Sequence, residues 1–188
     1  MREIAKPCQP IITPPDAGAT VEVVIAGAKG VVIDGETVIV DCHAGDLPRS
    51  ENDYSIALRI RFGDFIFSTA GDLDGENSVS DDGYKYHNIE TPVRKIVGVV
   101  DVYHANHHGS SHSSNKDYVE TLQKRSLISC GKGNRCGHPT DQALGNMSAW
   151  LSKTFITQDC NLSVTKLYPE KQIVNDDIFN YRMDGKNF

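Results

Sequence analysis

Apolar and polar residues alternate along much of this chain, and the alternation breaks at glycines and prolines. Residues 21–25, 31–33 and 37–41 are short β-branched runs that predict strands, with Gly27, Gly30 and Asp34-Gly35 turning the chain between them. From Tyr54 to Phe62, Ile56, Leu58, Ile60 and Phe62 fall on one face and Arg59 and Arg61 on the other. Gly63-Asp64 then turns the chain into 65–69, which predicts an antiparallel hairpin. Residues 88–97 read as a short helix with Glu90, Thr91 and Pro92 in its first turn, and 97–103 as a buried strand. Helical spacing of Tyr118, Val119 and Leu122 predicts a helix over 115–125. A strand over 126–130 and a helix over 141–151 follow. Residues 155–188 alternate as two or three final strands, with Asp184-Gly185 as a turn. Residues 42–53 and 77–87 read as polar loops.

Four of the eight prolines fall in residues 1–18, so residues 1–20 read as an extended lead-in and 21–188 as one α/β domain. There are no internal repeats and no run of membrane-spanning length.

Chemistry concentrates in Ala105-Asn106-His107-His108-Gly109-Ser110-Ser111-His112, which holds three of the seven histidines. A strand that ends in paired histidines, a glycine and hydroxyls is how α/β enzymes present a site at the carboxyl ends of a sheet. Neutral imidazole is the commonest protein metal ligand. The bland alternative is a polar surface loop rich in histidine. Gly71-Asp72 puts a carboxylate at the end of another strand, although Gly-Asp there is equally an ordinary turn. The Gly-rich loop from Gly131 to Pro139 carries His138. Cys130, Cys136 and His138 can also be read as ligands of a structural zinc, but the spacing is unlike a common knuckle and no fourth ligand stands nearby.

Composition narrows the partners. A net charge of −6 argues against an extended electrostatic grip on nucleic acid, yet leaves room for a phosphodiester held through divalent cations. The five cysteines are odd in number and widely spread, so no disulfide framework is expected.

Asn52…Ser55 before a hairpin, Gly71-Asp72, His107-His108-Gly109-Ser110 and Gly137-His138-Pro139 together resemble the metallo-β-lactamase fold. Within it the likeness is to ComEC-type competence hydrolases and related extracellular phosphodiesterases. It runs from about Val21 to the carboxyl end. The resemblance implies an αββα sandwich with a metal site along one edge, holding one or two divalent ions such as zinc. Asp72 would be the bridging carboxylate, and His108, with His107 as the alternative, a ligand of the second metal. His138, Asn106, Ser110 and Ser111 would line the substrate side, with Asp72, His108 and His138 the catalytic set. The implied activity is hydrolysis of phosphodiester bonds, in nucleic acid or a similar substrate.

The family's leading motif, His-x-His-x-Asp-His, occurs nowhere in these 188 residues. The closest string, Asp41-Cys42-His43-Ala44-Gly45-Asp46, lacks the second histidine and the Asp-His pair. His104 stands where the relatives often carry lysine. The sequence thus predicts a sandwich incomplete at its amino-terminal side. An apolar face of Val21, Val23 and Ile25, or of Val38 and Val40, is then expected to be exposed, to be covered by a second copy or a partner chain. A degenerate, non-catalytic member serving as a binding or structural module is the alternative reading.

Overall fold

The computed structural model describes residues 10–11, 18–26, 29–33, 37–41, 50–122, 124–158, 160–168 and 173–175, giving for 10, 24–26, 29–33, 37–41, 162 and 173–175 the backbone only. Its strands are β1 (Pro10–Ile11), β2 (Ala19–Ala26), β3 (Lys29–Ile33), β4 (Thr37–Asp41), β5 (Ile56–Phe62) and β6 (Phe65–Thr69). They continue as β7 (Ser78–Val79), β8 (Lys85–Tyr86), β9 (Val102–His104), β10 (Arg125–Ile128), β11 (Lys153–Ile156) and β12 (Ile173–Asn175). The helices are α1 (Glu90–Val97), α2 (Lys116–Leu122), α3 (Asp141–Trp150) and α4 (Leu162–Thr165).

The α/β class is as expected. Among the described residues the strands form one ten-stranded mixed sheet, in the order β12-β11-β10-β9-β6-β5-β2-β3-β4 with β1 beside β2, and a separate β7-β8 ribbon. The half from β1 to β6 is antiparallel, built from hairpins. The half from β6 through β9, β10 and β11 to β12 is parallel. Parallel neighbours need crossovers, which here run through α1, α2, α3 and α4. They also bring the carboxyl ends of β6, β9 and β10 to one edge of the sheet, where the predicted site residues follow.

The core lies between this sheet and the helices. Ala57, Ala70, Leu73, Ile89, Val93, Val97, Tyr103, Tyr118, Leu122, Ile128, Leu144 and Met147 form one buried cluster. α1 buries Val93 and Val97, and its Gly98 cap sits at φ 64°, in the left-handed region where glycine ends a helix without strain. α3 starts at Thr140, whose side chain accepts from the Ala143 amide.

Several expectations are corrected. The strand predicted over 97–103 is only Val102–His104, because Val97 belongs to α1 and Gly98 turns the chain. On β5 the wholly buried residue is Ala57, on the arginine side that faces the core, while Ile56 is 45% exposed. Within residues 1–20, Pro10 and Ile11 pair as a strand with Glu22 and Val21, and β2 begins at Ala19. Val23 is buried and Val21 half-buried, on the face of β2 that pairs with Leu58 and Ile60 of β5. The side chains of Ile25, Val38 and Val40 lie outside the described residues, as does Asp184-Gly185. Cys130 and Cys160 form a disulfide, contrary to the reading of dispersed cysteines, and this removes Cys130 as a zinc ligand. Cys136 is free and exposed. Among the described residues no helix is long and apolar enough to cross a membrane.

Candidate functional site at the carboxyl edge of the parallel strands

After β9 the chain turns sharply through Asn106–Gly109. His107 (φ 48°) and His108 (φ 53°) are both left-handed, a conformation that non-glycine residues adopt at a cost and that histidine tolerates better than most. Hydrogen bonds hold the turn in place. The His107 amide donates to the Gly71 carbonyl (2.9 Å), and the Ser110 amide to the His107 carbonyl (2.9 Å). The Thr140 amide donates to Gly109 (2.9 Å), docking the 137–140 loop onto the turn. Position 109 has room only for glycine: its φ is +75°, and an added Cβ would lie 3.0 Å from Pro139 Cβ.

The two imidazoles are each fixed through Nδ1. His107 Nδ1 lies 3.1 Å from Asp74 Oδ1. A carboxylate only accepts, so in the neutral ring Nδ1 carries the proton and Nε2 keeps its lone pair. In that tautomer the 3.4 Å approach of Asn52 Nδ2 to the same nitrogen is a contact between donors. The Asn52 amide instead donates to Asp74 Oδ2 (3.1 Å). Asp74 is wholly buried. Its hydrogen bond raises the His107 pKa above the ordinary imidazole range, outweighing burial. His108 Nδ1 lies 2.7 Å from the Ser129 carbonyl, also an acceptor, so its Nε2 is likewise unprotonated in the neutral ring.

Asp72 and His108, expected to meet, do so: His108 Nε2 is 3.9 Å from Asp72 Oδ1, and both side chains are about half exposed. Two electron-pair donors therefore face one another across an open gap. His138 stands beside them, its ring centroid 5.4 Å from that of His107 and perpendicular to it. Burial, with the nearby His107 and His108, lowers its pKa. Asn134 grips its backbone from both sides, accepting from the His138 amide (2.9 Å) and donating to its carbonyl (2.7 Å). His108, Ser129, Asn134, Cys136 and His138 line a cavity of about 380 Å³.

The other predicted residues play different parts. Asn106, expected on the substrate side, is wholly buried and donates to Glu90 Oε1 (2.8 Å). Ser110 is buried too, its hydroxyl accepting from the His112 amide (3.2 Å). Both shape the turn from beneath, because the left-handed pair rotates the chain after β9 and leaves their side chains facing inward. Ser111 is half-buried. His104 bridges the strand ends, with Nδ1 2.9 Å from Thr69 Oγ1 and Nε2 2.9 Å from Ser129 Oγ, so both of its nitrogens are engaged.

Asp74 and Glu90 escaped the sequence reading. Glu90 is wholly buried and accepts from the Ser114 amide (2.8 Å), the Asn115 amide (2.7 Å) and the Asn106 amide group (2.8 Å). Burial pushes its pKa up to about 7 against those three donors. Asp72-Leu73-Asp74 does carry a signal for Asp74, a second acid two residues after the first with a core leucine between.

Among the described residues no group of three or more His, Cys, Asp or Glu side chains is gathered so as to hold a metal ion. The donor chemistry at the edge nonetheless suits one: Nε2 atoms oriented by Nδ1 hydrogen bonds, beside a carboxylate.

No known family's profile matches the chain. Over 132 residues, 69% of its length, the chain is 30% identical to ComE operon protein 3 of Bacillus subtilis (strain 168). It spans 15% of that protein's length. The relationship shown is thus one of sequence to part of ComE operon protein 3.

Proposed function

We propose that this chain is a metal-dependent hydrolase of the metallo-β-lactamase superfamily, acting on phosphodiester bonds in nucleic acid or a similar substrate. The observation that carries the reading is the 3.9 Å gap between His108 Nε2 and Asp72 Oδ1. In the neutral ring the Nδ1 proton is committed to Ser129, and Nε2 then has no proton to give Asp72. Zinc–nitrogen and zinc–oxygen bonds are each about 2.0–2.2 Å, so a single cation reaches both atoms. Imidazole and carboxylate are a zinc-compatible pair. Such an ion supplies Lewis-acid chemistry, steadying charge on phosphoryl oxygens and acidifying water. The chain's own residues position and move protons around it. Asp74 and the Ser129 carbonyl hold the two imidazoles in their tautomers, and His138, beside them, can accept or return a proton on the substrate side. The ComEC-type resemblance and the partial relationship to ComE operon protein 3 support the same reading.

Hydrolysis of bis(p-nitrophenyl) phosphate with added zinc or manganese tests the proposal. Asp72→Asn and His108→Ala are each expected to reduce the rate at least 100-fold while leaving the melting temperature nearly unchanged. Equal rates in the wild type and both variants would contradict it.

The lack of a three-donor group among the described residues favours a second reading, a non-catalytic module of the same superfamily. Ion stoichiometry discriminates. Two or three donors hold at most one divalent ion per chain, and weakly, whereas a closed site needs four. Elemental analysis after desalting is expected to return one equivalent or less. Two tightly held zinc ions would overturn that count and exclude the non-catalytic reading.

A further inference from the structure

The β7-β8 ribbon carries a second feature, beside His107. Tyr84, Tyr86, Asp82, Asn52 and His107 line a separate cavity of about 340 Å³, within the size range of small-ligand sites. Its aromatic wall is braced from behind. Tyr86 stacks on His112 with centroids 3.6 Å apart and planes 13° apart, and Tyr84 leans on Tyr86 at 4.8 Å. His112 Nδ1 is in turn tied to Glu76 Oε1 (2.5 Å), which also accepts from the Ser78 hydroxyl (2.7 Å).

From this arrangement we infer that the Tyr84–Tyr86 cavity is a subsite for a nucleobase, stacked on tyrosine, with its phosphodiester directed toward His107 and His108. Three observations on the cavity itself select this ligand. Rings held rigid by packing offer a flat face at little entropic cost, and every base has a face to stack on it. The rim supplies acceptors suited to the N–H edges of a base: the Asp82 carboxylate, which takes the Ser80 hydroxyl on Oδ1 and keeps further lone pairs, and the Asn52 carbonyl oxygen, its NH2 being given to Asp74. That same carboxylate repels a phosphate from the cavity, leaving the phosphate to the histidine edge. Overall charge agrees: at −6 the chain gains little from phosphate electrostatics, so affinity for a nucleotide chain has to come from stacking.

The inference deepens the phosphodiesterase reading and is tested apart from it, in EDTA, where no hydrolysis occurs. Calorimetry at low salt compares a short single-stranded oligodeoxynucleotide with an abasic oligomer of equal length and charge. The base-containing strand is expected to bind about tenfold more tightly. Tyr84→Ala should remove that difference, and Tyr84→Trp should keep it, with all three proteins melting alike. Equal affinity for the two oligomers, or a difference that survives Tyr84→Ala, would overturn the inference. Hydrolysis lost in Asp72→Asn with the binding difference intact would support both proposals, because the two sites would then act separately.

Discussion

Two adjacent histidines sit in the left-handed region, which costs roughly 1–2 kcal/mol at each residue. Strain of this kind persists where surrounding bonds over-determine it, and it concentrates at functional sites. Here it lets both rings leave one strand end while each Nδ1 finds an acceptor. Since a ligand imidazole must be neutral, protons compete with any ion at His107 Nε2. The Asp74 bond raises the His107 pKa, so divalent affinity is expected to fall as pH drops through that raised value, starting above the ordinary imidazole range. Asp74→Asn should move the onset to lower pH and weaken binding about 10–100-fold, read by metal titration at several pH values. His107-His108-Gly109-Ser110 was legible as a motif because glycine and paired imidazoles are chemically conspicuous. Asp74 was not, since a buried orienting carboxylate looks in sequence like one more acid in a turn.

Glu90 links helix α1 to the segment that follows the histidine turn. It receives two amides at Ser114 and Asn115 and the side chain of Asn106, and Gly75 leaves space for its Oε2. Glu90→Ala strands three buried donors and should cost about 3 kcal/mol or more in urea unfolding. Its pKa is raised from 4.5 to about 7 by burial, so between those values the folded chain holds a proton that the unfolded chain has lost. Stability from this group is therefore present below about pH 4.5 and lost as pH rises to 7, a decline on the order of 3 kcal/mol. Glu90→Gln should remove that slope, and an unchanged slope in the variant would assign it to another group. At this scale the hairpin β5-β6 and helices α1 to α3 were readable from period and capping. The β7-β8 ribbon was missed although Asp82-Gly83 is a hairpin signal, because each strand has only two residues and no alternation to detect. β9 was overextended because Val97 to Val100 is β-branched whether it closes a helix or opens a strand. Helix α4 was missed because four residues are too few to show a period.

In the whole molecule the change from antiparallel to parallel pairing at β6 creates the edge that Asp72, His107 and His108 follow. The α/β class followed from alternating strand and helix signals. The strand order did not, because pairing across crossovers leaves no local mark on the sequence. The Cys130–Cys160 disulfide was equally hidden: it joins the loops after β10 and β11, strands adjacent only in three dimensions. Its separation of 30 residues predicts that reduction costs about 3–4 kcal/mol, measured as the loss of unfolding free energy in dithiothreitol. The central claim is that His108 presents Nε2 to a cation beside Asp72. Long-range nitrogen–proton NMR of the histidine rings during zinc titration tests it most directly. The account predicts that the His108 Nε2 resonance shifts on saturation while its Nδ1 proton remains in place. A His108 Nε2 resonance that stays unmoved at saturating zinc would contradict it.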